Sequence, residues 1–133
     1  PFVLKGIMTA SGARKALEAG ARGIVVSNHG GRVLDETPST IEVLPSIVEA
    51  VGGKLTILVD GGFRSGLDAF KALALGAQGV LMARPFTWAV YGGGAEGARL
   101  LLEKVRAELA EAMVMTGAAS LAAIRPEMVS ARL

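Results

Sequence analysis

The stretch Ser11-Gly12-Ala13-Arg14-Lys15-Ala16-Leu17-Glu18-Ala19-Gly20-Ala21 is echoed further along the chain by Ser65-Gly66-Leu67-Asp68-Ala69-Phe70-Lys71-Ala72-Leu73-Ala74-Leu75-Gly76-Ala77. Each copy leads straight into a glycine-plus-hydrophobic run, Gly23-Ile24-Val25-Val26 after the first and Gly79-Val80-Leu81-Met82 after the second. Such an internal repeat predicts a tandem arrangement of strand–helix units. In the first copy Ala13, Ala16 and Leu17 share one helical face, Thr9 or Ser11 is the candidate cap and Gly20 the stop. In the second, Ser65 or Asp68 opens the helix and Gly76 closes it.

Outward from the repeat, residues 2–4 and 56–59 read as further short strands. The uninterrupted apolar character of residues 23–26 suits a strand buried on both faces. Residues 40–51 have helical character, with Pro45 expected to kink or restart the helix because it lacks a ladder donor, and Gly52-Gly53 ends it. After the fourth strand, which breaks at Arg84-Pro85, only helix follows. There is a short apolar segment at 86–91, a Gly92-Gly93-Gly94 break and a long amphipathic helix over 95–116. Gly117 stops that helix, and a last turn capped by Ser120 precedes a frayed tail.

Strands alternating with helices predict an α/β fold with a parallel sheet. Closing a barrel with a filled interior takes about eight strands. Residues 1–133 therefore read as one domain, the C-terminal half of a (β/α)8 TIM barrel: four βα units plus C-terminal helices. The opening Pro1-Phe2-Val3-Leu4 enters directly in a strand, as expected of a piece of a longer polypeptide. Exposed parallel edges invite pairing, so the expected partners are the missing N-terminal half of the barrel or, in a homo-oligomer, a second copy.

Composition excludes several classes. At 51% hydrophobic and 20% charged, the chain lacks the signature of disorder. Its fourteen basic and twelve acidic residues are scattered, so a pI near 9.3 gives no reason to expect a nucleic-acid partner. With no cysteine and one histidine, neither a thiolate nor a histidine-rich metal site is available within it. No apolar run reaches the roughly 18 residues of a membrane span, and the first residues lack the basic n-region of a signal peptide. A cytoplasmic protein with no membrane partner is expected.

Ligands of α/β barrels bind at the C-terminal ends of the strands, and the unusual polar residues fall there. Lys5 follows the first strand, where the bland reading is a lysine snorkelling at the rim. Ser27-Asn28-His29-Gly30-Gly31-Arg32 follows the second, placing a base titrating near neutrality and a carboxylate-gripping guanidinium three residues apart. Asp60-Gly61-Gly62-Phe63-Arg64-Ser65 follows the third, with backbone donors ahead of a helix N-terminus for an anion, Arg64 for a phosphate and Asp60 for a polyol hydroxyl. Ala83-Arg84-Pro85 follows the fourth, where barrels often complete a phosphate site. Asp35 and Glu36 read as solvated loop charges, and Trp88 and Tyr91 as packing anchors.

Leu4-Lys5-Gly6, Ser27-Asn28-His29-Gly30-Gly31-Arg32, Asp60-Gly61-Gly62-Phe63-Arg64 and Arg84-Pro85-Phe86, in this order, resemble the FMN-dependent α-hydroxy-acid oxidases and dehydrogenases. This is the family of glycolate oxidase, lactate oxidase, mandelate dehydrogenase and flavocytochrome lactate dehydrogenase. The resemblance spans nearly the whole chain, and its Ser-Asn-His-Gly-Gly-Arg string is specific to that family. It implies that the cofactor is FMN, with Lys5 beside the pyrimidine end of the flavin and Ser27 touching it. It also implies that His29 takes a proton from a small 2-hydroxy acid and Arg32 holds the substrate carboxylate. Asp60, Gly61, Gly62, Phe63 and Arg64 would bind the ribityl and phosphate, and Ala83 and Arg84 would close the phosphate site. Ala83 stands where the family usually has glycine, a mild departure because a backbone donor survives.

The family's tyrosines, its second substrate arginine and the aspartate paired with its histidine have no counterpart in the chain, so these residues alone are expected to be catalytically poor. Two other readings compete. One is a related FMN or phosphate-binding barrel such as an isopentenyl-diphosphate isomerase-like enzyme, disfavoured by the His29-to-Arg32 spacing. The other is an inactive half-barrel that self-associates.

Overall fold

The computed structural model describes residues 1–130. Its elements run β1 (Val3–Ile7), α1 (Ala10–Glu18), β2 (Gly23–Val26), α2 (Thr40–Val51), β3 (Thr56–Val59), α3 (Gly66–Ala74), β4 (Gly79–Val80) and α4 (Arg84–Thr116). Short 3-10 turns lie at His29–Gly31, Leu121–Ala123 and Pro126–Met128. The four strands form one parallel sheet in the order β1-β2-β3-β4, so successive βα units lie side by side, as the repeat predicts.

Alternation along the strands sorts the core. Ile24 and Val26 on β2 and Ile57 and Val59 on β3 are buried in one cluster with Ala13 and Ala16 of α1 and Leu44, Ile47 and Val51 of α2. Gly23 cannot be larger, because a Cβ there would stand 2.9 Å from the Thr56 carbonyl oxygen on the neighbouring strand. A second cluster joins Phe70 and Ala74 of α3 to Ala118 and Ile124, with Met128 and Val129 packed against it. The tail expected to fray is therefore docked on α3 through Val129; residues 131–133 lie outside the described ones.

Several boundaries differ from the sequence reading. The first strand extends to Ile7, which puts Lys5 inside β1, paired with Val25, and not beyond its end. Residues 81 and 82 leave the fourth strand. β4 has β3 as its one neighbour, and the ladder stops at Val80 although Leu81 still donates to the Val59 carbonyl at 2.9 Å. α2 runs unbroken through Pro45. Proline removes one rung there, while the capping box and the burial of Leu44, Ile47 and Val51 hold the rest. α4 breaks at Gly93 and Gly94, as the glycine triplet predicts. Ser120 precedes the Leu121–Ala123 turn without a side-chain cap bond.

Trp88 and Tyr91 are not packing anchors: they are 58% and 89% exposed. They lie on the segment of α4 before the glycine break, and most of their surface is left uncovered by the described residues. The edge strand β1 is likewise open, with Phe2 46% and Val3 55% exposed. No helix among the described residues is long and apolar enough to cross a membrane.

The helix caps yield a first prediction. The Ser39 hydroxyl accepts from the Glu42 amide, and the Glu42 carboxylate accepts from the Ser39 amide at 2.7 Å. The Ser39 hydroxyl and then its backbone hold the Glu42 carboxyl below its ordinary range. A depressed carboxyl stabilises the fold while ionised, so this contribution is present near neutrality and lost as pH falls through the acid range. Ser39→Ala is expected to lower stability by about 1 kcal/mol. Urea unfolding at neutral and acid pH checks both the loss and its shrinkage in acid.

Candidate active site

The C-terminal ends of the strands open on one cleft of about 390 Å³, lined by Lys5 of β1 and by the loops after β2, β3 and β4. Ten of the eleven residues singled out from sequence line it: Lys5 from β1, His29 and Arg32 after β2, Asp60, Gly61, Gly62, Phe63 and Arg64 after β3, and Ala83 and Arg84 after β4. The eleventh, Ser27, is 2% exposed and lies beneath it.

Lys5 organises the floor. Its Nζ donates to Asp60 Oδ2 at 2.6 Å and to Ser27 Oγ at 2.6 Å. The Lys5 side chain is half exposed and that of Asp60 19% exposed, so the pair sits at the cleft surface and not in the core. Asp60 Oδ1 is buried without a protein partner. A carboxylate oxygen in that state needs a donor, and a ligand hydroxyl in the cleft would supply one.

His29 sits on the turn after β2 with φ +58, a left-handed conformation uncommon outside glycine. Its amide donates to Ser27 Oγ at 3.1 Å. The Asn28 side chain closes the turn by accepting from the Gly31 amide and donating to the Pro38 carbonyl. Among the described residues no side chain hydrogen-bonds the His29 imidazole, so none of them supplies an orienting carboxylate for it. Gly30 is favoured by its φ of +68; a Cβ would also stand 2.9 Å from Arg84 Nη2, the movable end of a side chain that donates to the Gly30 carbonyl at 3.3 Å.

The helix N-termini sort the anion-binding donors. Thr9 caps α1, the Ser39/Glu42 box caps α2 and the Ser65/Asp68 box caps α3. The amides of Arg64 and Ser65 donate to Asp68, and that of Gly66 to Glu108. The start of α3, where sequence suggested an anion, is thus filled by the protein's own carboxylates. α4 alone among the four begins without a side-chain cap; its first turn faces the cleft beside Arg84, and Arg64 lies over the Trp88 ring at 5.9 Å. Phe63 lines the cleft but is 7% exposed and packs in the main core, so its ring offers the cleft little surface.

These groups fit FMN. The uncapped helix start with two arginines suits a phosphate, and the unpartnered Asp60 oxygen suits a polyol hydroxyl. Gly62, where a Cβ would meet nothing within 4 Å, leaves room for close approach of the ligand to backbone.

The sequence pattern of the FMN-dependent dehydrogenases matches residues 1–131. The chain belongs to this family.

Among its relatives, this family member is 53% identical to the 4-hydroxymandelate oxidase of Amycolatopsis orientalis over 94% of its own length and 35% of that protein's. It is 50% identical to an L-lactate dehydrogenase of Caulobacter sp. (strain K31), over 88% of its length and 31% of the relative's. Mandelate oxidase with (S)-2-phenylpropionate superposes with a TM-score of 0.92 at 52% identity, covering 95% of this chain and 38% of that one. A mandelate oxidase variant carrying a monooxide FMN adduct superposes equally well. The chain thus spans about a third of the length of the curated relatives it matches, and its four βα units are part of a (β/α)8 barrel.

Sequence reading missed two residues. Asn28 was quoted without a role, and Thr40, 2% exposed, was seen only as the start of a helix. The Thr40 Oγ1 donates to the Asp60 carbonyl at 2.7 Å, a contact that no local pattern signals.

Proposed function

We propose that residues 1–133 form the C-terminal half of an FMN-dependent enzyme that oxidises a 2-hydroxy acid to a 2-oxo acid. The observation that carries this reading is one cleft uniting His29, the Arg32 guanidinium, unpaired among the described residues, and an uncapped helix start flanked by arginines. In the complete enzyme the open edges at β1 and β4 pair with strands from the other half, and the tyrosines, second arginine and aspartate of the family come from there.

Arg32 grips the substrate carboxylate bidentately and thereby brings the 2-hydroxyl to His29. His29 takes the hydroxyl proton at an imidazole nitrogen, the role a histidine beside the substrate hydroxyl can fill. FMN, when bound, would supply the acceptor for the α-hydrogen with its two electrons, completing the oxidation that removal of the hydroxyl proton begins. Lys5, tied to Asp60 and Ser27, holds a positive charge on the cleft floor, where charge developing in the ligand is stabilised. Arg64, Arg84 and the amides at the start of α4 hold the phosphate, and Asp60 accepts from a ribityl hydroxyl. The names of the two relatives above refer to hydroxymandelate and to lactate, which favours this chemistry over that of a diphosphate isomerase. The size of the substrate's side chain is left to walls outside these residues.

The test is the visible spectrum of the complete enzyme before and after anaerobic addition of mandelate, lactate or glycolate. A flavin band that bleaches supports the reading, and a bound flavin that none of the acids reduces sinks it. Arg84→Ala is expected to weaken FMN about 10- to 100-fold, the size of one charged hydrogen bond to phosphate. Riboflavin, which lacks the phosphate, should bind the variant and the parent alike in a fluorescence titration.

A further inference from the structure

We propose that Thr40 is a positioning residue for the cofactor floor, acting through Asp60 on Lys5; the inference rests on the FMN reading above. Thr40 and Ser27 are the two buried polar residues among those described, and both lie beneath the cleft. Ser27 touches Lys5 directly. Thr40 is one step removed.

Asp60 carries two tasks on one carboxylate: Oδ2 holds Lys5, and Oδ1 stands buried without a partner. Its aim depends on the backbone it hangs from. The next two residues, Gly61 and Gly62, both have φ near +89, a conformation that glycine enters and leaves freely. Two successive glycines therefore let the Asp60 carbonyl and the peptides after it swing unless something pins them. The Asp60 amide is pinned to the Val26 carbonyl at 3.0 Å by the sheet. On the other side the pin is Thr40, whose hydroxyl donates to the Asp60 carbonyl at 2.7 Å and lies 3.4 Å from that of Gly61.

The same side chain forms part of the loop's floor. A Cβ at Gly61 would lie 3.6 Å from Thr40 Cγ2 and 3.2 Å from Asn28 Oδ1. Thr40 is also the first residue of α2, held by the Ser39/Glu42 box. The hydroxyl therefore ties the fixed helix start to the two-glycine segment of the loop after β3. Loss of the hydroxyl leaves the Asp60 carbonyl without its donor, frees the carboxylate to turn and releases Lys5 from its place below the flavin.

The test measures FMN affinity of the complete apoenzyme by flavin fluorescence, so that it does not depend on turnover. Thr40→Val, which keeps the shape and removes the hydroxyl, is expected to raise the FMN Kd about tenfold, the effect of one buried acceptor left unpaired. Thr40→Ser keeps the donor and should stay within about twofold of the parent. In a Lys5→Met background Thr40→Val should add no more than about twofold, because residues acting through one another are not additive. Should Thr40→Val fail to fold, Thr40→Cys fills the same space with a weak donor and is expected to cost roughly threefold. Parent-like affinity in Thr40→Val overturns the inference. So does failure of serine to rescue, which would mean that the methyl group matters, or a full tenfold penalty in the Lys5→Met background, which would mean general loosening. An unaltered enzyme that binds no FMN overturns the FMN reading itself and is seen before any variant is made.

Discussion

Replacing His29 by asparagine in the complete enzyme is expected to lower kcat about 10²- to 10⁴-fold, the range of a lost general base, while FMN stays bound. Asparagine is the informative substitution because His29 has φ +58, a region that asparagine enters more readily than most side chains. The turn can then keep its Asn28–Gly31 closure and the amide bond to Ser27, and only the base is removed. Alanine would confound lost chemistry with backbone strain at the same residue. Steady-state kinetics with the best hydroxy acid, together with the flavin spectrum, separate the cases. A fall in kcat with an unchanged flavin band assigns the proton transfer to His29, whereas near-parent kcat would remove His29 from that role. Rescue by added imidazole would show that the missing function is the base itself.

Gly66→Ala is expected to destabilise the chain by on the order of 3 kcal/mol, at the upper end of ordinary overpacking. A Cβ at Gly66 would lie 2.2 Å from the Val105 carbonyl oxygen and 2.4 Å from the Leu109 amide nitrogen, both backbone atoms of α4. No rotamer change relieves a backbone clash, so α3 and α4 must move apart. That separation also breaks the bond from the Gly66 amide to the Glu108 carboxylate, 2.8 Å long. Glu108 is held below its ordinary range by Lys104 first and by that amide second, so losing the contact leaves its carboxyl closer to an ordinary one. Thermal unfolding should fall by roughly 10 °C for a domain of this size. A variant as stable as the parent would mean that the helices do not meet as described. Glycine in the first turn of a helix looks from sequence like a modest local penalty; here the helix contact makes it obligatory.

The repeat, the caps and the strand-end loops were legible because each is a local signal. Apolar periodicity marked α1, β2, β3 and α3 within a residue or two, and Ser65 and Gly117 sit where capping chemistry puts them. The candidate site was legible to the extent that barrels place chemistry after their strands. Phe63 shows the limit: its loop position was right, yet its ring is in the core. Trp88 and Tyr91 show the converse, since aromatic character suggests burial but says nothing of what lies opposite.

By itself, then, the sequence determined the order of strands and helices, the parallel α/β class, and which loops hold the histidine, the arginines and the glycines, because periodicity, capping and turn chemistry act over a few residues. The tertiary structure alone decided that Lys5 meets Asp60 fifty-five residues away, that Thr40 braces the Asp60 carbonyl, and that α4 and not α3 offers the free helix start. Those contacts depend on the register of neighbouring strands and on helices packed across the sheet, where residues distant in sequence come within hydrogen-bond reach and no local pattern records it.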